Sequence, residues 1–392
     1  MKSIPKTIKL LSIIFLLIFC AYNGVQQYII LFFSSFGASQ LGFYSLILIY
    51  ISFAICNPFT VILISKIGVK KSIQIAIICY SLFILSLITR SMYVVYASST
   101  LLGAAAALLW TSQGSYLVRV TKKDSLGISS GYFTTFLFLG STIGILFSGF
   151  IIQQTSYTVL FLLASIIPIF GLILSSKLKE FTNIQSTNHL QDIKKAITSP
   201  TALRLSTIWF SVSFTLGLAI GFIPIEIKDK LGVRFVGLTS IFYLLPIFLS
   251  FYWGKLSDEK GRKIVIIASF VVNGIGLLLL FLFHSSLSLI IGMFLLALSS
   301  SMLIPTISSL VGDISTKHTL EYLVGLFLMV QSLGTISALI ISAFVHSEIL
   351  YLISFIILTL ISLILLPMIK LKVEEIKHKI SEEMGPVHFL DE

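Results

Sequence analysis

The sequence predicts an all-α membrane protein, with twelve transmembrane helices arranged as two pseudo-symmetric six-helix halves. Three observations carry this expectation. The 392 residues are 56% hydrophobic and only 11% charged, which is more apolar surface than a water-soluble chain can cover without large exposed patches. The apolar residues come in continuous runs of about 20, the length that crosses a bilayer core about 30 Å thick. The basic residues cluster on alternate breaks between those runs, the asymmetry that sets membrane orientation.

The runs lie near residues 8–33, 41–65, 72–90, 93–118, 128–152 and 156–176, then 203–226, 235–253, 264–283, 287–311, 322–345 and 349–370. The first follows Lys2, Lys6 and Lys9 as a secretory signal would. It is too long for one and no small-residue cleavage site follows, so it reads as a retained first helix. Barrel strands would alternate polar and apolar residues in shorter segments, so the continuous runs predict helices. Pro58, Pro168, Pro224, Pro246 and Pro305 fall in the runs and predict kinks or ends. The pairs Gly140/Gly144 and Gly217/Gly221 predict seams of close helix approach.

The longest polar break, residues 177–202, divides the chain into an N-terminal six-helix half at 1–176, a cytoplasmic linker, and a C-terminal six-helix half at 203–370. Residues 371–392 form a charged cytoplasmic tail, with helix expected around Val373–Ile380. With the N-terminus inside, 23 of the 27 Lys and Arg residues fall on cytoplasmic segments. Only Arg90, Lys228, Lys230 and Arg234 fall outside. The expected location is therefore a cell membrane, multi-pass, with both termini cytoplasmic, and the net charge of +11 speaks of topology rather than of nucleic acid. Cys20, Cys56 and Cys79 all lie in spans and read as small buried hydrophobes. Two similar six-span halves joined by a cytoplasmic linker are the layout of major facilitator transporters, whose solute lies between the halves near mid-membrane.

Particular residues extend the likeness. The segment Gly254-Lys255-Leu256-Ser257-Asp258-Glu259-Lys260-Gly261-Arg262-Lys263 resembles the signature loop of the major facilitator superfamily. Its counterpart in the first half, Ser65-Lys66-Ile67-Gly68-Val69-Lys70-Lys71, keeps the glycine and basic pair without the acid. The first run carries Tyr22-Asn23-Gly24-Val25-Gln26-Gln27. The second opens Leu41-Gly42-Phe43-Tyr44-Ser45-Leu46 and continues to Tyr50, Asn57 and Pro58. The fourth runs from Gly103 through an alanine stretch to Trp110, Thr111, Gln113, Gly114 and Tyr116. Together these resemble the Unc-ninety-three-like branch of the superfamily, known for ion-channel regulatory and receptor-escorting proteins, over roughly residues 20–120. The resemblance implies the major facilitator fold. It also implies that Gly254, Asp258, Gly261 and Arg262 take part in conformational gating at the cytoplasmic side, and that the first helix of each three-helix repeat lines the solute path.

No nucleophile–base pair, metal-ligand spacing or phosphate-cradling Gly-Lys-Ser/Thr loop is present in the sequence, so no catalytic residue, metal or cofactor is expected. All sixteen acids fall in loops, tails or run ends. Glu226, after Pro224, comes closest to a membrane position and reads as a headgroup-level charge beside Lys228. Arg90 reads as a snorkelling anchor, and His284, His318 and His346 read as solvated loop-end residues. Intramembrane carboxylates usually mark proton or sodium relays. Their lack leaves uncharged polar groups as solute contacts. Asn23, Gln26 and Gln27 stand at helical spacing on one face, where an amide in hydrocarbon is costly unless paired. Trp110 and Gln113 repeat the pattern, and Trp209 and Ser300 are the second-half candidates, with Ser213, Thr215, Ser299, Ser301, Thr306, Asn273 and Gln331 weaker. Helix-to-helix hydrogen bonding is the competing role for all of them.

The expected function is a secondary transporter for a small uncharged or amphipathic polar solute, working by alternating access as a monomer in the lipid bilayer. The alternative is a non-transporting regulator or escort holding a membrane-protein partner. The orientation is open to test in a background lacking the native cysteines. Single cysteines at Ser39 and Thr155 should react with an impermeant reagent from outside, and one at Asn188 should not. The reverse pattern would invert the topology.

Overall fold

The structure is a computed structural model that describes residues 5–121, 126–180, 189–315, 320–345, 347–370 and 372–384. Asn188, His318 and His346 lie outside the described residues. Every regular element among the described residues is helical.

The first span is broken. α1 (Lys6–Gln26) gives way to a turn at Gln27 and Tyr28, and α2 (Ile29–Ser34) continues it. α3 (Ser39–Cys56) passes into a 3-10 turn at Asn57–Phe59, where Pro58 removes a backbone donor, and α4 (Thr60–Ile67) completes the second span. α5 (Val69–Ile88), α6 (Met92–Val120), α7 (Leu126–Gln154) and α8 (Tyr157–Ser175) are the third to sixth. A short α9 (His189–Thr198) precedes the seventh span, which is broken like the first. α10 (Pro200–Ile220) turns at Gly221 and Phe222 into α11 (Ile223–Leu231). A 3-10 stretch (Val233–Ser240) leads into α12 (Ile241–Lys260), followed by α13 (Arg262–Leu282), α14 (Ser286–Ile314), α15 (Leu320–Phe344) and α16 (Ile349–Lys370). The tail forms α17 (Val373–Met384).

Among the described residues eleven helical segments are long and apolar enough to span, and α16, apolar over Ile349–Leu365, makes the twelfth. Pro58 and Pro224 fall at breaks as expected. Pro168, Pro246 and Pro305 sit inside α8, α12 and α14, which run on through them. A helix in lipid loses one donor at such a proline and has no aqueous alternative for the rest of its backbone, so it continues.

Compactness groups the chain into one unit of Met1–Ile184 with Ile220–Ile247, and a second of Gln185–Ala219 with Phe248–Glu392. In the first unit α1 and α7 form the closest seam. A Cβ at Gly144 would overlap the Cys20 carbonyl oxygen, one at Gly140 the Leu16 carbonyl, and Gly24 faces Gly144 and Ser148 in return. In the second unit Gly217 lies against Thr335 and Ala338, and Gly334 against the Phe210 carbonyl. Removing side chains lets backbones meet, which replaces the missing hydrophobic drive between helices in lipid with dispersion.

Helix ends are tied by charge. Gly68 and Gly261 adopt φ of 89° and 94° at the turns before α5 and α13, a region only glycine enters without strain. The Glu180 carboxylate accepts from the Lys70 amide at 3.0 Å, so an acid from beyond the sixth span caps α5. In the second unit α17 buries Ile376, Ile380 and Met384 and brings Glu383 to the start of α10. There Glu383 accepts from the Ser199 hydroxyl, from the Thr201 amide at 3.1 Å and from the Thr201 hydroxyl at 2.6 Å. Burial pushes its carboxyl up, but these bonds and nearby Lys379 outweigh burial and leave it below its ordinary value. The charge also faces the positive end of the α10 dipole.

Two charges differ in setting from expectation. Glu226 is only 7% exposed and pairs with Lys230 at 2.5 Å rather than with Lys228, because Lys230 is one helical turn away on α11. Arg90 has φ of 56° and lays its guanidinium 3.9 Å from the centre of the Phe36 ring, a cation–π anchor.

Two outcomes follow. The carboxylate of Glu383 is favoured by folding, so its contribution is complete above pH 4.5, the ordinary value, and disappears as pH falls through the lowered value. Melting of wild type and Glu383→Gln across that range should show the wild-type advantage shrink on acidification; a constant difference would remove the charge from the account. Gly144→Val should cost about 1–3 kcal/mol through overpacking, read as a lower thermal midpoint. Gly325→Ala, where an added Cβ meets nothing within 4 Å, should leave the midpoint unchanged or raised.

Candidate functional site

The amide face of α1 divides between two neighbours. Asn23 donates through Nδ2 to the Ser141 hydroxyl of α7 at 2.7 Å, one turn from the Gly140/Gly144 seam. Gln26 donates through Nε2 to the Tyr50 hydroxyl of α3 at 3.0 Å. Gln27 is buried at the break where α1 ends. Asn23 thus makes the contact that helix-to-helix hydrogen bonding requires, while Gln26 presents a pair with Tyr50.

Around that pair the first unit assembles rings and hydroxyls, without a carboxylate among the described residues. Tyr22 meets Tyr80 edge to face at 5.0 Å. Trp110 is backed by Phe19 at 5.3 Å and Phe15 at 6.0 Å and stays half-buried, as do Tyr50 and Gln113. Gln113 makes no hydrogen bond among the described residues, so its amide is available in the way a solute contact needs. Two residues before it on α6, Thr111 brings its hydroxyl oxygen to 2.9 Å from that of Thr60, and it lies 3.5 Å from Asn57 Oδ1. Asn57 is buried at the 3-10 break of the second span, and its Nδ2 finds no partner there. Sequence reasoning placed Tyr50, Asn57 and Thr111 in motifs but not in the site. The dipeptide Asn57-Pro58 inside an apolar run was the available signal, since both residues disfavour an uninterrupted helix.

The second unit treats its candidates differently. Trp209 stacks on Phe327 with centroids 4.0 Å apart and is buried. Ser300 donates to the Leu296 carbonyl of its own helix at 3.2 Å. These are the contacts that packing makes.

The gating candidates surround one turn. Gly254 lies inside α12 facing Pro305, and Gly261 makes the turn itself. Asp258 is in the last turn of α12 instead of in a loop, because α12 stays helical until Gly261 reverses φ; the Asp258 side chain lies outside the described residues. Arg262 does the joining. It donates through Nε to Asp313 Oδ2 at 3.0 Å and through Nη1 to the Ser257 hydroxyl at 2.7 Å, fastening the ends of α12 and α14 to the start of α13. Asp313, 51 residues away, carried no local signal in the sequence. His284 faces Glu348 at 3.6 Å between loop ends, and no cluster of metal ligands occurs among the described residues.

Comparison with known proteins agrees with this construction. Residues 205–391 match the family model described as Major Facilitator Superfamily, and residues 37–223 match that of the ion channel regulatory protein UNC-93. Protein unc-93 homolog A of Bos taurus is 32% identical over 148 residues, 36% of this chain and 32% of that protein. UNC93-like protein MFSD11 of Xenopus tropicalis is 32% identical over 151 residues, 36% of this chain and 34% of that protein. The matched region thus spans about a third of the length of these relatives. The crystal structure of a POT family transporter in complex with 5-aminolevulinic acid superposes with a TM-score of 0.77 at 13% identity, covering 94% of this chain and 97% of that one. Twelve apolar spans, the two family matches and this superposition identify the chain as a multi-pass membrane protein of the major facilitator fold, similar to the UNC-93 proteins over its first half.

Proposed function

We propose that the chain is a secondary transporter that moves a small uncharged or amphipathic polar solute by alternating access between its halves, residues 1–176 and 203–370. The observation that carries this reading is the group of buried Gln26 with half-buried Tyr50, Trp110, Thr111 and Gln113. It offers amide, hydroxyl and indole to a ligand but no carboxylate. Such groups bind a polar solute through hydrogen bonds and ring contact without a fixed charge, and Gln27 at the α1 break extends the set. Broken first and seventh spans support it too, since interrupted helices expose backbone groups where solute can use them. In this reading both termini and the linker face the cytoplasm, the chain acts as a single copy in a cell membrane, and the Arg262–Asp313–Ser257 clasp biases one state without touching solute. Asn23 and Trp209 serve mainly to hold their helices, and Ser300 does not touch the solute.

The alternative is a non-transporting regulator of a channel or receptor. It is supported by the description of the family that residues 37–223 match. A thermal-shift screen of polar and amphipathic solutes on the purified chain, followed by uptake into liposomes, separates the two. Transport requires a solute that raises the midpoint and enters the liposomes, with affinity falling about tenfold or more in Gln113→Ala and Trp110→Ala, the loss expected for one good contact. If no solute does either, and a membrane protein co-purifies stably, the regulator reading replaces it.

A further inference from the structure

Within the second unit, α10, α13 and α14 enclose a polar nest in the membrane interior formed by Ser211, Thr215, Asn273, Ser299 and Ser300, each at most 6% exposed. Asn273 donates through Nδ2 to Thr215 Oγ1 at 3.0 Å and to Ser299 Oγ at 3.3 Å. The hydroxyl protons agree with this orientation of the amide. Thr215 spends its proton on the Ser211 carbonyl at 3.1 Å, Ser211 on the Thr207 carbonyl at 3.0 Å and Ser300 on the Leu296 carbonyl at 3.2 Å. Thr215 can therefore only accept from Asn273, and Asn273 Oδ1 is left buried with no hydrogen-bond partner. A buried acceptor left unpaired costs on the order of a lost hydrogen bond, so this atom asks for an electropositive guest.

The space beside it narrows the guest. It nowhere seats a sphere the size of water, and a buried water needs room for at least one such sphere. Among the apolar side chains of Val212, Phe270, Leu303 and Leu358, its polar lining is one amide and four hydroxyls, and neutral oxygens are the kind of ligand that replaces the hydration shell of a monovalent cation in channel filters. No carboxylate lines the nest to balance a divalent charge. We propose that this nest is a binding site for a small monovalent cation of sodium's size, held by Asn273 Oδ1 and the hydroxyl oxygens of Thr215, Ser299 and Ser300. The site lies wholly within one unit and binds its ion with no solute present, so it stands apart from the transport reading and supplies it with a coupling ion if that reading holds.

The test is thermal melting of the purified full-length chain in sodium, potassium and choline chloride at equal ionic strength. Sodium should raise the midpoint with a saturable dose response, potassium less, and choline not at all. Ser299→Ala, which removes one oxygen and changes little volume, should weaken the apparent sodium affinity about tenfold or more. Asn273→Asp adds a negative charge and should tighten it. Equal melting in the three salts would overturn the site. A sodium effect unchanged in both variants would place the ion elsewhere and overturn the assignment equally.

Discussion

Hydrocarbon offers no hydrogen bonds, and this single property of the surroundings organises the molecule. Any polar group that enters a span must find its partner inside the chain. The hydroxyls show the commonest solution: Ser12, Ser72, Ser141, Ser354 and many others return their proton to a carbonyl of their own helix three or four residues back. Amides are too large for that and must reach another helix, as Asn23, Gln26 and Asn273 do. Charges are pushed to helix ends, where Glu180 and Glu383 each accept a backbone amide that would otherwise stand unpaired, and Arg262 joins side chains at neighbouring helix ends. Residues left out of these arrangements, Gln113 and the orphaned ends of Asn57 and Asn273, stand out for that reason.

The two units meet the same demand with different chemistry. One constant offset along the chain carries Gly24 to Gly217 and Gly68 to Gly261, glycines of matching role in seam and turn. The same offset carries Tyr22 to Thr215 and Tyr80 to Asn273. Where the first unit joins its helices by two rings edge to face, the second joins them by an amide on a hydroxyl. A ring pair fills its space and closes, whereas an amide with one end satisfied leaves an acceptor over. The repeat in the fold therefore does not repeat its binding properties.

Span number was legible in the sequence because it rests on long apolar runs, which no tertiary contact overrides. The α17 helix and the Gly140/Gly144 seam were legible from local spacing. The division of the α1 amides was not: Asn23, Gln26 and Gln27 share a face by period alone, but that face is wide enough to meet both α7 and α3. Nor was the Asp313 partner of Arg262 or the Glu180 cap on α5, since each joins residues far apart in the chain. The sequence set Asp258 in a loop, and the structure keeps it in α12 for a local reason. The turn needs only Gly261, so the acid three residues earlier remains helical.

The clasp at the start of α10 has a consequence for the order in which the protein comes into being. Glu383 lies 182 residues beyond the Thr201 amide it caps. Synthesis runs from the N-terminus, and each part can settle as it emerges. All twelve spans have therefore been translated before the residue that finishes the first turn of the seventh exists. A stop codon just upstream of Glu383 would yield a chain with every span present and one helix end still open.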